Sequence, residues 1–234
     1  MEKMNKELAD IMKEAYGPCD GFRCVCGGKG ILWNPKPEPE KIKEMNIPRG
    51  FYGATGEISD VKLVLVLAEP GKPDKEEWKY YNDKDLSNEI LSDPSKLLDA
   101  HNNYVTFKNG GLFHENIRNI VRKCFDKNIE EVKNNIWITE TVLCSVPGRS
   151  STGPMTREVE DECGKRYLKK QYDLFKNAFW VAAGRKAQRR LKILEIPSQQ
   201  YTYIYHPSCR PIHKIAAKES WDKLAEDFKK WRNI

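Results

Sequence analysis

The sequence predicts an α/β chain, a three-layer α/β/α sandwich around a central, mainly parallel, four-stranded sheet. Three observations carry that reading. Val61 to Leu67 (VKLVLVL) is a nearly continuous apolar run, as a strand buried on both faces of a parallel sheet requires. Three more short apolar runs follow, separated by segments of helical periodicity, and that alternation builds βαβ units. Polar residues stand at the ends of three of these runs: Glu69, Glu140 and His206. A parallel sheet collects its chemistry at the carboxyl ends of its strands.

The elements follow in order. Met4 to Ala15 places Leu8, Ile11, Met12 and Ala15 at helical spacing and predicts a helix leading into a cysteine-rich loop. The Pro-rich stretch Asn34 to Pro39 is irregular. The first strand ends at Ala68-Glu69-Pro70-Gly71. Lys72 to Thr106 is polar, helix-prone around Leu86 to Ala100, and reads as an insertion. Leu112 to Phe125 is a helix, and Ile136 to Leu143 (IWITETVL) is the second strand, breaking at Cys144 and Pro147-Gly148. Thr156 to Lys176 is a long amphipathic helix with Thr156 as its N-cap. Phe179 to Ala183 is the third strand, followed by Gly184 and a basic helix. Tyr201 to Tyr205 is the fourth, ending at His206-Pro207-Ser208, and Lys214 to Trp231 closes the chain as a helix. One domain over 1–234 is expected, with a cysteine loop at about 17–30 and the insertion at about 72–106.

Composition narrows the function classes. Charged residues make up 32% and hydrophobic residues 39% of the 234, and the first 16 residues contain no apolar signal core. No run approaches the ~18 apolar residues of a membrane span. A cytoplasmic monomer with no membrane partner is expected. The net charge of +6, from 40 basic and 34 acidic residues, is a weak sign of nucleic acid by itself. Its distribution says more, because Arg185, Lys186, Arg189, Arg190 and Lys192 cluster, and His206 to Lys214 forms a second basic group. Seven cysteines without an export signal argue against a disulfide framework. Cys19, Cys24 and Cys26 fall beside several glycines in a loop able to wrap a metal centre, without the paired C-x-x-C of a zinc ribbon. A lone Glu after a strand is more often a surface charge, and a lone His a core residue; three such groups at one edge reduce the role of chance.

Four segments resemble the motifs of the uracil-DNA glycosylase superfamily, especially its iron–sulfur branch. They are Leu65-Val66-Leu67-Ala68-Glu69-Pro70-Gly71, then Ile138 to Gly148 (ITETVLCSVPG) with Pro154-Met155-Thr156 and Cys163, then Val181-Ala182-Ala183-Gly184-Arg185-Lys186-Ala187, then Tyr205-His206-Pro207-Ser208. The resemblance implies a DNA glycosylase acting on a flipped base, with DNA as partner. It implies that Glu69 positions water or stabilises the sugar cation. The iron–sulfur branch usually carries this Glu one place earlier, where Ala68 stands against the base here. Phe107 is implied as the ring that stacks on the base, and His206 as the donor to base O2. Gly184, Arg185, Lys186, Ser208 and Arg210 are implied as phosphate ligands, since a helix N-terminus favours anions. Cys144 and Cys163 match two ligands of a 4Fe–4S cluster, and the other two would come from among Cys19, Cys24 and Cys26. Zinc is the alternative metal, and unliganded thiols a third possibility. Cys124 and Cys209 stand apart from this set.

Glu140 departs from the uracil-specific pattern, which has Asn there. An ionised carboxylate only accepts hydrogen bonds, so it opposes the O4 of uracil and suits the N4 amino group of cytosine. A protonated Glu140 would instead resemble the Asn. The insertion carries Trp78, Tyr80, Tyr81 and Tyr104, rings that suit a sugar-binding surface or merely pack. Unmodified cytosine cannot be the target in a host's own DNA. The expected substrate is therefore a modified cytosine, such as a glucosylated base of invading phage DNA in antiviral defence. Uracil excision in base-excision repair is the alternative, and a non-catalytic metal-cluster DNA-binding module is the second. No Lys of the motifs is an obvious Schiff-base nucleophile, so a monofunctional reaction is expected.

Overall fold

The computed structural model describes residues 3–16, 48–70, 98, 102, 111–144 and 157–233. The strands are β1 (Tyr52–Gly53), β2 (Leu63–Leu67), β3 (Ile136–Glu140), β4 (Phe179–Ala183) and β5 (Tyr201–Ile204), in the sheet order β1-β3-β2-β4-β5. The four expected strands pair in parallel, and β1 adds a fifth, antiparallel to β3. A two-residue strand is too short for any period to announce it. Their common direction puts the carboxyl ends of β2 to β5 along one edge of the sheet.

Alternation along β2 feeds two cores. Val64 and Val66 join Trp137, Trp180 and Ala182 on one face, which is covered by α1 (Lys6–Lys13) and by a long helical segment before β4. Leu63, Leu65 and Leu67 join Ile138, Val181 and Ile204 on the other, covered by α2 (Leu112–Phe125) and the C-terminal helix. All five β2 residues are buried, which explains the unbroken apolar run. The strand begins at Leu63, two residues later than the run, because Val61 caps the 3-10 turn Ile58–Asp60.

The long segment before β4 is α3 (Arg157–Cys163), a π turn over Gly164–Leu168, then α4 (Lys169–Leu174). Helical spacing predicted its extent but not the π turn, which starts directly after Cys163. After β4 comes α5 (Arg185–Ile193), and after β5 the closing α6 (Lys214–Arg232). The buried indoles are satisfied: Trp137 donates to Gln171 Oε1 at 2.8 Å and Trp180 to the Phe175 carbonyl at 2.9 Å. Among the described residues no helix is long and apolar enough to cross a membrane. The expected cysteine loop, Phe107, Thr156 and most of the insertion lie outside the described residues. Of the insertion, Asn102 is buried, and its carboxamide accepts from the Gly53 N–H at 2.8 Å and donates to the Gly53 carbonyl at 2.9 Å.

Candidate active site

Glu69 stands two residues beyond the end of β2, and its side chain is only 6% exposed. Lys186 from the first turn of α5 pairs with its Oε1, and Arg190 one turn later reaches Oε2 at 2.9 Å. Arg190 Nη1 also donates to the Ala68 carbonyl at 2.5 Å and to Thr141 Oγ1, while Nη2 meets Glu160 Oε1 at 2.5 Å. Arg189 takes the other Glu160 oxygen at 2.5 Å. Burial opposes ionisation of Glu160, but the hydrogen bonds and charges of Arg190 and Arg189 outweigh it and hold its pKa below the ordinary value. The strand ends are tied directly as well, since Thr141 Oγ1 donates to the Ala68 carbonyl at 2.6 Å.

Sequence reading assigned Lys186 to phosphate and took Arg190 as one more charge on a basic face. The signal for Arg190 was present: with Ala187, Leu191 and Leu194 it falls on the buried stripe of its helix. Glu160, Thr141, Gly50 and Phe113 were likewise not singled out.

Glu140 ends β3 opposite Leu67, and is 5% exposed. Its Oε2 has no hydrogen-bond partner among the described residues. Burial, reinforced by the neighbouring Glu69 carboxylate and only partly offset by Arg190 and Arg49, pushes its pKa well above the ordinary value. Gly50 closes one side of the group. It has φ +82°, and a Cβ there would stand 2.7 Å from Glu140 Cγ and 3.0 Å from Pro70 Cβ, so any larger residue would displace the carboxyl group.

His206 follows β5. The Ser208 N–H donates to its Nδ1 at 3.1 Å, and Ser208 Oγ lies 2.9 Å from the same atom. A backbone N–H can only donate, so Nδ1 accepts and the neutral ring carries its proton on Nε2. Burial lowers the pKa of His206, against the pull of Glu69 and with the help of Lys186, which favours that neutral ring. Phe113 stacks on it with centroids 5.7 Å apart and planes at 23°. Asn116 donates to the Pro207 carbonyl at 2.6 Å and fixes the loop. Gly184, with φ +94°, lets the ring approach: a Cβ there would sit 3.2 Å from His206 Cβ.

The structure therefore brings Ala68, Glu69, Glu140, Gly184, Lys186, His206 and Ser208 to one edge. Ser208 is engaged with His206, and Arg185 and Arg210 are exposed around it. A carboxylate held by two cations, a buried carboxyl group whose burial favours its protonated form and an imidazole carrying its proton on Nε2 can together stabilise a cation, donate a proton and support a developing anion.

Cys144 and Cys163 are buried cysteines outside any disulfide. Before residues 17–47, Glu14 pairs with Lys170 at 2.7 Å and its carbonyl accepts from Tyr167 Oη at 3.4 Å, on the helix that follows Cys163. After them, Pro48 bridges Cys144 and the Arg49 N–H donates to the Leu143 carbonyl at 2.8 Å. The described residues flanking 17–47 thus lie against the helix that follows Cys163 and beside Cys144. Cys19, Cys24 and Cys26 lie outside the described residues, and among the described residues no three His, Cys, Asp or Glu side chains converge as a ligand set. Cys124 lies in the core, and its burial pushes the thiol up to about 12.

No curated protein matches the chain. A family model described as the Uracil DNA glycosylase superfamily matches residues 55–229, a span that contains Glu69, Glu140, Lys186, Arg190 and His206. That match covers most of the sequence and all four parallel strands whose carboxyl ends form the site, and the chain belongs to the uracil-DNA glycosylase superfamily, a superfamily of DNA glycosylases.

Proposed function

We propose that the chain hydrolyses the bond between a flipped-out cytosine-type base and its deoxyribose in DNA, leaving an abasic site and an intact backbone. The observation that carries this is Glu140, a buried carboxyl group beside Glu69 with an oxygen that has no hydrogen-bond partner among the described residues. Such an atom costs roughly 1–3 kcal/mol until a ligand pairs with it. In its neutral form the carbonyl oxygen accepts from cytosine N4–H while the hydroxyl donates to N3. As the C1′–N1 bond breaks, the base takes the electron pair. Transfer of the Glu140 proton to N3 neutralises that charge, and His206 Nε2–H donates to O2. Glu69, with two lone-pair sites beyond those used by Lys186 and Arg190, faces the sugar cation and holds the water. The water oxygen bonds to C1′ and sheds a proton to solvent, and Glu140 takes a proton back from solvent before the next turnover.

A modified cytosine, including a glucosylated base of phage DNA encountered in antiviral defence, is the target that spares the host's own cytosine. Uracil is the second reading, favoured by the same protonation of Glu140, because a neutral acid can donate to O4 and accept from N3–H. A 4Fe–4S cluster, or zinc, held by Cys144, Cys163 and two of Cys19, Cys24 and Cys26 supplies a cross-link rather than a part in bond cleavage.

The experiment is a panel of oligonucleotides carrying uracil, cytosine, 5-hydroxymethylcytosine and its glucosylated form, at one salt concentration. Release of a cytosine derivative supports the proposal, release of uracil alone supports the second reading, and release of none removes both. Borohydride should trap no adduct, since the Lys186 ammonium is paired with Glu69 and is not a free amine.

A further inference from the structure

We infer that the sheet edge beyond β5 is a binding surface for unpaired DNA, where bases flanking the flipped nucleotide stack on a row formed by Tyr203, Tyr205 and His213. This rests on the proposed action on DNA and specifies the form of that DNA. Tyr203 and Tyr205 are 6.0 Å apart between ring centroids, and Tyr205 and His213 are 5.7 Å apart. The two tyrosines are half-buried and His213 is exposed. The row's middle member, Tyr205, immediately precedes His206 in the chain. It is fixed: the Tyr205 N–H donates to Ser220 Oγ at 3.2 Å and its carbonyl accepts from Trp221 Nε1 at 3.0 Å. Among the described strands β5 pairs only with β4 and ends the sheet order.

Charge favours a polyanion here. From Leu174 to Lys218 the chain has nine Lys and Arg and a single acid, Glu195, although acids number 34 in the 234 residues. Arg185, Arg210, Lys214 and Lys218 from this stretch are exposed. Cations further along α6 are paired instead, as Lys223 is with Asp227 and Lys229 with Asp126. The same edge carries Ile212 and Ile215, 85% and 76% exposed. A duplex offers phosphates to the cations but keeps its base faces stacked inside. A single strand offers phosphates and base faces together, which is what cations interleaved with rings bind.

The test is fluorescence anisotropy with an unmodified labelled oligonucleotide, single-stranded and as a duplex of the same sequence, over a salt series. The single strand should bind more tightly. Tyr203→Ala should weaken single-strand binding roughly 5- to 150-fold, the range of one lost base stack, and leave duplex binding within about two-fold. Tyr203→Phe, which keeps the ring, should bind as the wild type does. The double variant Arg210→Gln, Lys214→Gln should lower the single-strand salt slope by about 1.4. Equal binding of both DNA forms, or a Tyr203→Ala loss that is the same on both and is not restored by Phe, would overturn the inference. Because binding is read on unmodified DNA, ring-dependent binding with no base release from any oligonucleotide of the substrate panel sinks only the glycosylase reading. Base release with ring-independent binding sinks only this one.

Discussion

Arg190 holds Glu69 at 2.9 Å, guanidinium to carboxylate, with both side chains withdrawn from solvent at 2% and 6% exposure. The same arginine bonds the carbonyl of Ala68 and the carboxylate of Glu160, so α3, α5 and the end of β2 meet at one guanidinium. Without Arg190, Glu69 keeps only Lys186 and Glu160 only Arg189, so each buried carboxylate loses its one fully buried cationic partner.

Arg190→Met should accordingly destabilise the fold by about 3–5 kcal/mol, read from urea unfolding, with Arg190→Lys retaining part of the loss because it keeps the charge but not the fork. The pH dependence has a definite sign. Glu160 has a folded pKa below its unfolded value, so its contribution is present above about pH 4.3 and drains away as pH falls through the folded value. Arg190→Met should flatten that acid limb. Equal acid sensitivity in the two proteins would show that the network does not couple to folding.

Much of the fold was legible because β2, β3 and β4 are almost wholly buried and announce themselves as apolar runs, while β5 is half-buried and shows as a short aromatic run. Helix ends were legible to within a few residues, and α2 exactly matched its predicted span Leu112–Phe125. What stayed hidden was set by tertiary contact. β1 has only two residues, the π turn after Cys163 leaves no periodic trace, and Arg190 hides among four exposed or half-exposed neighbours of like charge. Glu69, Glu140 and His206 could be placed at one edge because a parallel sheet puts its strand ends there. That Ser208 selects the proton position on His206, or that Gly50 walls Glu140, required side-chain geometry.

Gly184→Ala tests the support of His206. The substitution imposes a positive φ on an alanine and drives its Cβ to 3.2 Å from His206 Cβ. The imidazole must shift, and its Nε2–H with it. Single-turnover base release should fall by about 10²-fold, the scale set by a misplaced oxyanion donor, while DNA affinity changes far less. A variant with wild-type turnover would show that His206 does not need this approach.

The metal is tested through the two buried thiols. Cys144→Ser and Cys163→Ser should each lose bound metal and lower the thermal midpoint, because the stretch 17–47 is bracketed by contacts at both. Cys124→Ser should keep the metal, since that thiol lies in the core with a pKa pushed up to about 12. A brown colour with a broad band near ~400 nm would identify an iron–sulfur centre. Metal analysis of anaerobically purified protein that finds neither iron nor zinc would end the proposal.

Glu140→Gln separates base reading from folding in one variant. Glu140 has a folded pKa raised above its unfolded value, so the wild type loses stability as pH rises from about 4.3 toward the folded pKa. Gln carries no such penalty. The variant should match the wild type near pH 4 and gain on it with rising pH, by at most about 1.4 kcal/mol per pH unit. In base release, Gln keeps an acceptor for N3–H and a donor for O4 but has no proton to pass to cytosine N3, so preference should move toward uracil. The wild type, as pH climbs through the Glu140 pKa, should lose uracil processing first, because the ionised carboxylate then faces O4 acceptor to acceptor in a buried site. A site built on one hydrogen-bond pattern rejects the mismatched base by roughly 10⁴-fold. Unchanged base preference in Glu140→Gln across that pH range, alongside the expected stability gain, would leave Glu140 a buried acid with no part in choosing the base.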